Sequence, residues 1–469
     1  MNERLARLHC GCRKPTDHES VLMPRPEPLL RFSQANIRAG INLTANYANV
    51  ALMALITLLI MPVYVHTLGP AQWGVVALCT TLHGAMFAID VALGPLMLRD
   101  IARAAIRQQA YSSYLRFLRV YACFAVAAIA LVQVILALNK HWPHGAVLPM
   151  DESLLIALQI ILLQFLFQFS NSAALGYWNG LERQRQANVR LAIFLLLKHA
   201  LALWAVLRWD STAIAYLGAF AAVSAVECLV NFSHIYRARG GDSTLSNLAA
   251  NAAGEDPDRT ERNNGVRQFG LYGVAAALGV ATTQIDRVYL SLTLSTEQFG
   301  VYFLVGTLML SMLSLQVPIQ RAFLPQIATA DWPRAPLVSM FKASFFLIAI
   351  PSVAIAAFPQ AVLRLWLGSS DLTSNAPELL RLSMLAVALL AVSAPAGLLL
   401  LRQARYGLMM GISGGVLLVQ LLLLIALTPS WGILAGGLAW LSCGLIQACV
   451  AAFLWRINRL SQVHPAMLP

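Results

Sequence analysis

The residues of this chain with the most chemistry in them are ionisable side chains set inside long apolar runs. Asp286 and Arg287 stand side by side in ATTQIDRVYLSLTLSTEQFGVYFLVGTL (Ala281–Leu308), Asp90 lies in AIDVALGPLMLRD, and Lys198 and Glu227 lie in two successive apolar runs. A charge near the middle of a bilayer costs roughly 2.5–3.5 kcal/mol on insertion scales, so such groups face a polar cavity, a partner helix or the headgroups. The cations offer an attachment point to an anionic headgroup, and the carboxylates offer one to a coupling ion, H+ or Na+. Bond-making chemistry is not indicated: the chain has no phosphate-cradling Gly-rich loop with Lys, no His-Glu-x-x-His and no nucleophile elbow. ATP hydrolysis, a resident cofactor and a catalytic metal are therefore not expected.

Each residue also has a structural reading. Arg287 lies within a turn or two of a span end, so its long stem either lines a cavity or snorkels to the headgroups; Asp286 is too short to reach as far. Neighbours on a helix point about 100° apart, so the two cannot neutralise each other and each needs a partner elsewhere. Lys198 either attracts phosphate or pairs with Glu227 of the next helix. Asp90 faces a cavity or makes an interhelical bond, and His83 and His199 read as interhelical donors rather than proton relays. Arg99 and Arg321, near the inner ends of spans two and eight, meet an anion at the inner mouth or only mark topology.

The elements that hold these residues are transmembrane helices. The 469-residue chain is 58% hydrophobic and only 12% charged, with mean hydropathy +0.67, which excludes a soluble domain. Twelve segments are long enough to span: Asn42–Val65, Trp73–Leu98, Phe117–Leu138, Leu154–Gly176, Asn188–Leu207, Ser211–Tyr236, Val266–Leu292, Phe299–Leu324, Leu337–Phe358, Pro377–Leu401, Tyr406–Leu427 and Trp431–Trp455. The net charge of +12 follows from topology and not from a nucleic-acid partner. One set of loops and span ends carries Arg99, Arg103, Arg107, Arg116, Arg119, Arg183, Arg185, Arg190 and their later counterparts, whereas the other carries only Lys140, Arg208, Arg364 and Arg381. The positive-inside rule puts both termini in the cytoplasm. Cys79, Cys123, Cys228, Cys443 and Cys449 fall in spans and read as small hydrophobes.

The chain also repeats itself. At an offset of 226 residues Thr67 meets Thr293, Gln72 meets Gln298, Gly74 meets Gly300, Thr81 meets Thr307, and Ile101–Ala102 meet Ile327–Ala328, without a gap. Asp286 and Arg287 meet Ile60 and Met61, so the charge pair belongs to one half only. The expected organisation is a basic, Pro-containing cytoplasmic arm over 1–41, expected to be disordered, and a six-helix lobe over 42–236. A solvated cytoplasmic linker over 237–265, a second six-helix lobe over 266–457 and a tail over 458–469 follow. The lobes share one orientation about an axis along the membrane normal.

Three phrases carry a family resemblance: LGPAQWGVVAL (Leu68–Leu78), IDVALGPLMLRDIAR (Ile89–Arg103) and IDRVYLSLTLSTEQFGVYFLVGTL (Ile285–Leu308). They resemble the multidrug, oligosaccharidyl-lipid and polysaccharide (MOP) exporter superfamily, in particular its polysaccharide or O-antigen flippases. The shared features are a Leu-Gly turn before an aromatic-Gly pair, an Asp in span two and an Asp-Arg before the second turn. Trp73 stands where the family often has Tyr or Phe, and Val91 and Ala92 delay the glycine that usually follows the Asp.

The resemblance implies two lobes around a central cavity that opens alternately to either side of a bacterial inner membrane. The implied substrate is a polyprenyl-pyrophosphate-linked oligosaccharide, turned from the cytoplasmic to the periplasmic leaflet for O-antigen, capsule or exopolysaccharide synthesis. A polysaccharide polymerase and a chain-length regulator are the implied partners. On this reading Arg287, Lys198, Arg99 and Arg321 receive the pyrophosphate, and Asp286, Asp90 and Glu227 sense the coupling ion. Three alternatives stay open: a cation-coupled drug or metabolite antiporter of the same superfamily; a membrane glycosyl polymerase or ligase, against which the short outer loops speak; and a non-transporting membrane scaffold, which would leave the cavity charges dispensable.

Overall fold

The structure is a computed structural model that describes residues 48–87, 107–140, 152–181, 183–238, 277–329, 334–368, 375–403 and 405–463, with single positions between 90 and 104 and at 274–275. For 139–140, 321, 325–326, 328–329 and 457–463 it describes the backbone alone. The expected terminal arm and nearly all of the linker lie outside the described residues.

Every regular element among the described residues is helical. In chain order they are α1 (Ala48–Leu59), α2 (Met61–Met86), α3 (Arg107–Lys140), α4 (Glu152–Gly180), α5 (Gln184–Arg208), α6 (Ala213–Ala238), α7 (Ile285–Thr293) and α8 (Thr296–Ser314). They continue with α9 (Gln316–Thr329), α10 (Arg334–Ser344), α11 (Ile350–Ala357), α12 (Pro359–Leu367), α13 (Ala376–Arg402), α14 (Tyr406–Trp431) and α15 (Leu434–Val463). Nine runs among the described residues are long and apolar enough to cross a membrane: α3, α4, α5, α6, α8 with most of α9, α10 through α11, α13, α14 and α15. The other three expected spans, Asn42–Val65, Trp73–Leu98 and Val266–Leu292, extend into residues outside the description and are represented by α1, α2 and α7. Outward-facing Leu131, Leu229, Leu347 and Phe453 are each more than 60% exposed, an inside-out surface that only lipid satisfies.

The helices form two bundles. In the first, α4, α5 and α6 pack together with α2 and α3; in the second, α13 is the central post against α10, α11 and α15. The bundles meet where α2 lies against α8. Local sequence explains the shape of that contact. Gly69 breaks α2 with φ 72° and ψ 170°, a conformation that favours glycine, and Pro70 follows it. At the matching place in the second half the start of α8 is set differently: the Ser295 hydroxyl accepts the Gln298 N–H at 3.3 Å as an N-cap.

The two repeated glycines then face each other across the bundles. A Cβ on Gly74 would lie 2.1 Å from the Thr296 carbonyl oxygen, and one on Gly300 would lie 3.1 Å from the Gly74 Cα. Trp73 donates its indole N–H to the Gly300 carbonyl at 3.1 Å. The end of the molecule bearing these turns is called the turn end below.

A second clasp closes the same end. Pro62 has no N–H, so the Leu58 carbonyl one turn earlier loses its helical donor. The Trp366 indole of α12 supplies one at 3.1 Å, from the opposite bundle, and His66 Nε2 lies 2.6 Å from the Leu367 carbonyl beside it. Deeper in, the Ser311 hydroxyl lies 3.4 Å from Thr57 Oγ1. Each of these contacts between the bundles joins α1 or α2 to α8 or α12.

Candidate substrate and ion sites

Asp286 sits in the first turn of α7, directly after a break in the helix at residues 283–284. Thr282 and Thr283 donate their hydroxyls back to the Gly279 and Val280 carbonyls at 2.6 and 2.7 Å, occupying acceptors near the break. The carboxylate is 1% exposed, and the positive end of the α7 dipole favours its charge. Its Oδ2 accepts two bonds, from the Tyr302 hydroxyl of α8 and, at 2.9 Å, from the Trp440 indole of α15. Among the described residues its buried Oδ1 has no hydrogen-bond partner. Tyr302 reaches that position because α15 offers no side chain there: a Cβ on Gly436 would come within 2.3 Å of the ring.

Arg287 points inward and not to the membrane surface. Its guanidinium lies over the Phe303 ring at 4.9 Å from the centroid, and its buried Nη2 has no hydrogen-bond partner among the described residues. The adjacent helix must be bare here as well, since a Cβ on Gly306 would sit 3.3 Å from Nη2. Asp286 and Arg287 thus find separate surroundings, as their helical spacing requires.

A cavity of about 410 Å³, mostly apolar in its walls but carrying several polar side chains, lies next to this pair in the second bundle. Trp440 forms part of its wall, which therefore adjoins the Asp286 indole bond. Among the described residues its polar groups are neutral: Thr282, Thr283, Gln316, Gln320, Ser393, Ser413 and Gln447. Among the described residues of its lining, none is ionisable except Cys443. Scanning the sequence for charges passes over these glutamines, because a single Gln in an apolar run carries no pattern; Tyr302 and Trp440 are missed for the same reason.

The first bundle holds a different arrangement. Lys198 of α5 and Glu227 of α6 pair at 2.7 Å, at 6% and 5% exposure. Gln168 of α4 accepts a second bond from the Lys198 ammonium at 2.7 Å and one from the Ser224 hydroxyl at 3.0 Å. The network continues through Asn171 and Asn231 towards Arg190, which stacks on Trp178 at 4.6 Å. Asp90 accepts a 2.5 Å bond from the Tyr121 hydroxyl of α3. His199 Nδ1 lies 3.2 Å from the Tyr64 hydroxyl. Among the described residues, no cluster of three or more His, Cys, Asp or Glu is arranged to hold a metal. Arg99 and the side chain of Arg321 lie outside the described residues.

Compared by sequence, the chain matches no family model and no curated protein. Solved structures do match it over nearly their whole length. The MATE multidrug transporter DinF-BH aligns at a TM-score of 0.63 and 16% identity, over 90% of this chain and 96% of that one. This fold is the MOP-transporter fold. An inward-facing MATE-family multidrug resistance transporter of the MOP superfamily aligns at 0.60 with 16% identity, covering 92% of this chain and 100% of the other. An outward-facing one aligns at 0.55 and 14%, covering 92% and 96%. The two bundles are the two lobes of that fold. The contact of α2 with α8 is the place where the lobes touch.

Proposed function

We propose that this protein is an inner-membrane transporter that turns polyprenyl-pyrophosphate-linked oligosaccharides from the cytoplasmic to the periplasmic leaflet by alternating access, with both termini cytoplasmic. The observation that carries the reading is the cavity beside Asp286, whose described lining offers amide and hydroxyl groups and no carboxylate. Neutral donors and acceptors suit the hydroxyls of a saccharide, whereas a cationic drug is held best by a carboxylate or an aromatic cage. With the positive-inside orientation the turn end is periplasmic. The Trp73–Gly300 and Trp366–Leu58 contacts then close the periplasmic side, and the conformation is the one that loads from the cytoplasm.

Within this reading Asp286 is the coupling residue. A buried carboxylate with one unpartnered oxygen has room in its chemistry for a proton or Na+, whereas Glu227 is already neutralised by Lys198. Arg287, with a buried Nη2 lacking a partner, is the cation available to pyrophosphate; Lys198 becomes available only if Glu227 releases it. A polymerase and a chain-length regulator are the partners this role calls for.

The second reading, a cation-coupled multidrug antiporter, is favoured by the multidrug transporters that share the fold. Deleting the gene separates the two. The flippase reading expects lipid-linked sugar units to accumulate on the cytoplasmic leaflet with loss of surface polysaccharide. Normal surface polysaccharide together with a rise in drug sensitivity would replace it with the antiporter.

A further inference from the structure

Arg190 is a cation for which the first lobe supplies no counter-charge among the described residues. It lies in the second turn of α5, half-buried, and its contacts are a 3.4 Å bond to Asn231 Oδ1 and the face of the Trp178 ring. The carboxylate of the same network, Glu227, is already paired with Lys198. Lys198, Glu227 and Arg190 together carry one net positive charge inside an apolar bundle, and a charge left uncompensated there is costly. A second guanidinium, that of Arg183 at the N-cap of α5, lies 5.9 Å from the centre of the same indole, and the His234 ring of α6 lies 5.1 Å from it. No ion pair among the described residues engages Arg183 or Arg190. Trp178 is 1% exposed, and its indole N–H has no hydrogen-bond partner among the described residues. The first turn of α5 holds no acid and no side chain caps it, so the positive end of its dipole faces the same place unopposed.

Trp178 and Arg190 line a pocket of about 70 Å³ between α4, α5 and α6, whose one described acid is the paired Glu227. That volume exceeds the ~30 Å³ share of one water molecule and falls well below the roughly 300 Å³ of a site that encloses a whole ligand. It suits a single oxyanion. Leu175 at its rim is exposed, as are Val189, Ile193 and Phe232 on the same stretches of α5 and α6, so its mouth gives on to lipid. The start of α6 is tied to Gln72 of the turn end by a 2.8 Å bond, which puts Asn231 and the pocket at the opposite, cytoplasmic end in the orientation proposed above. We infer that this site holds the phosphate of an anionic phospholipid of the cytoplasmic leaflet, with Arg190 and Arg183 on its oxygens and the Trp178 N–H as a further donor. The inference does not depend on what the protein transports. The phosphate cancels the charge that Glu227 leaves over and ties the ends of α4, α5 and α6 to one group through charge-assisted bonds. A basic pocket between helices on this side of a membrane is the form that recognition of anionic heads takes. A zwitterionic head would bring its own cation up against the two guanidiniums.

The test uses the purified full-length protein in detergent, titrated with phosphatidylglycerol or phosphatidylcholine and read by native mass spectrometry. The wild type is expected to retain one phosphatidylglycerol about tenfold more tightly than phosphatidylcholine, the worth of one charge-assisted bond. Arg190→Gln is expected to abolish that preference. Trp178→Phe, which keeps a ring beneath Arg190 and strips the N–H, is expected to weaken retention about fivefold. Arg456→Gln, which removes an exposed cation of the other lobe, is expected to change nothing. Equal retention of the two lipids by the wild type, or an equal loss in Arg456→Gln, overturns the inference. Wild-type retention in a folded Arg190→Gln overturns it too, as does wild-type retention in Arg183→Gln together with Trp178→Phe, a pair that leaves the buried Lys198 network intact. Displacement of phosphatidylglycerol by inorganic phosphate at equal concentration, or by a polyprenyl diphosphate at a tenth of it, would overturn the phospholipid as occupant and give the oxyanion site to that source.

Discussion

Replacing Gly74 with Ala places a methyl group where the closed lobes leave no space for one. The new Cβ would meet the Thr296 carbonyl oxygen at 2.1 Å, and because that atom is backbone, the two helices must separate by ~1 Å to clear it. Overpacking of this kind costs about 1–3 kcal/mol. The cost falls on the state in which α2 and α8 touch and vanishes once they part. The ratio of turn-end-closed to turn-end-open molecules should therefore drop by about 5- to 150-fold. Spin labels on cysteines placed at Asp210 and Glu297, both exposed at the turn end, would report the change by pulsed dipolar spectroscopy in a background stripped of native cysteine. The expected result is a new population at longer distance in Gly74→Ala and a weaker shift in Gly300→Ala, whose clearance is 3.1 Å. An unchanged distance distribution in a folded Gly74→Ala protein would refute the idea that this contact closes the turn end.

Other perturbations act on the same framework. Trp366→Phe strips the donor from the Leu58 carbonyl and should shift the same distances by about 1 kcal/mol; Pro62→Ala restores a helical donor there, so the double variant should show less than the sum in a double-mutant cycle. Asp286→Asn keeps an oxygen for Tyr302 and Trp440 but loses the charge, so it should fold normally and fail to restore surface polysaccharide; full complementation would remove Asp286 from the coupling role. Lys198→Ala leaves Glu227 buried alone and should destabilise the protein by about 3–5 kcal/mol in a thermal shift assay. Lys198→Met with Glu227→Leu should recover most of that stability, and transport by the double variant would make the pair a fold element rather than a phosphate site.

What the sequence discloses follows from how far each signal reaches along the chain. Helical spans are local statements about hydropathy, and the offset of 226 between the LGPAQWG and LSTEQFG phrases is visible without any structure. The meaning of that repeat was not: the matched glycines read as evidence of duplication, while their contact across the lobes needs the geometry of α2 against α8. Asp286 and Arg287 stood out because charge in an apolar run is rare. Their surroundings did not, since Trp440 lies 154 residues away and Gly436 acts by having no side chain. For Lys198 the sequence left two readings level, and a 2.7 Å pair with Glu227 is where the structure puts it. The neutral cavity is the largest omission, because hydrogen-bonding capacity without charge leaves almost no trace in composition.

The facing glycines also bear on how such a chain arose. In a six-span ancestor that dimerised about a twofold axis, one glycine would have met its own copy, and a single substitution would have struck both sides of the interface at once. Fusing the two copies into one chain removes that constraint. Trp73 and Phe299, or Gly69 and Ser295, could then diverge around a contact that still needed both glycines. Position 286 was equally free to gain an acid that its counterpart, Ile60, never had to carry, so the buried charge pair sits in one lobe alone.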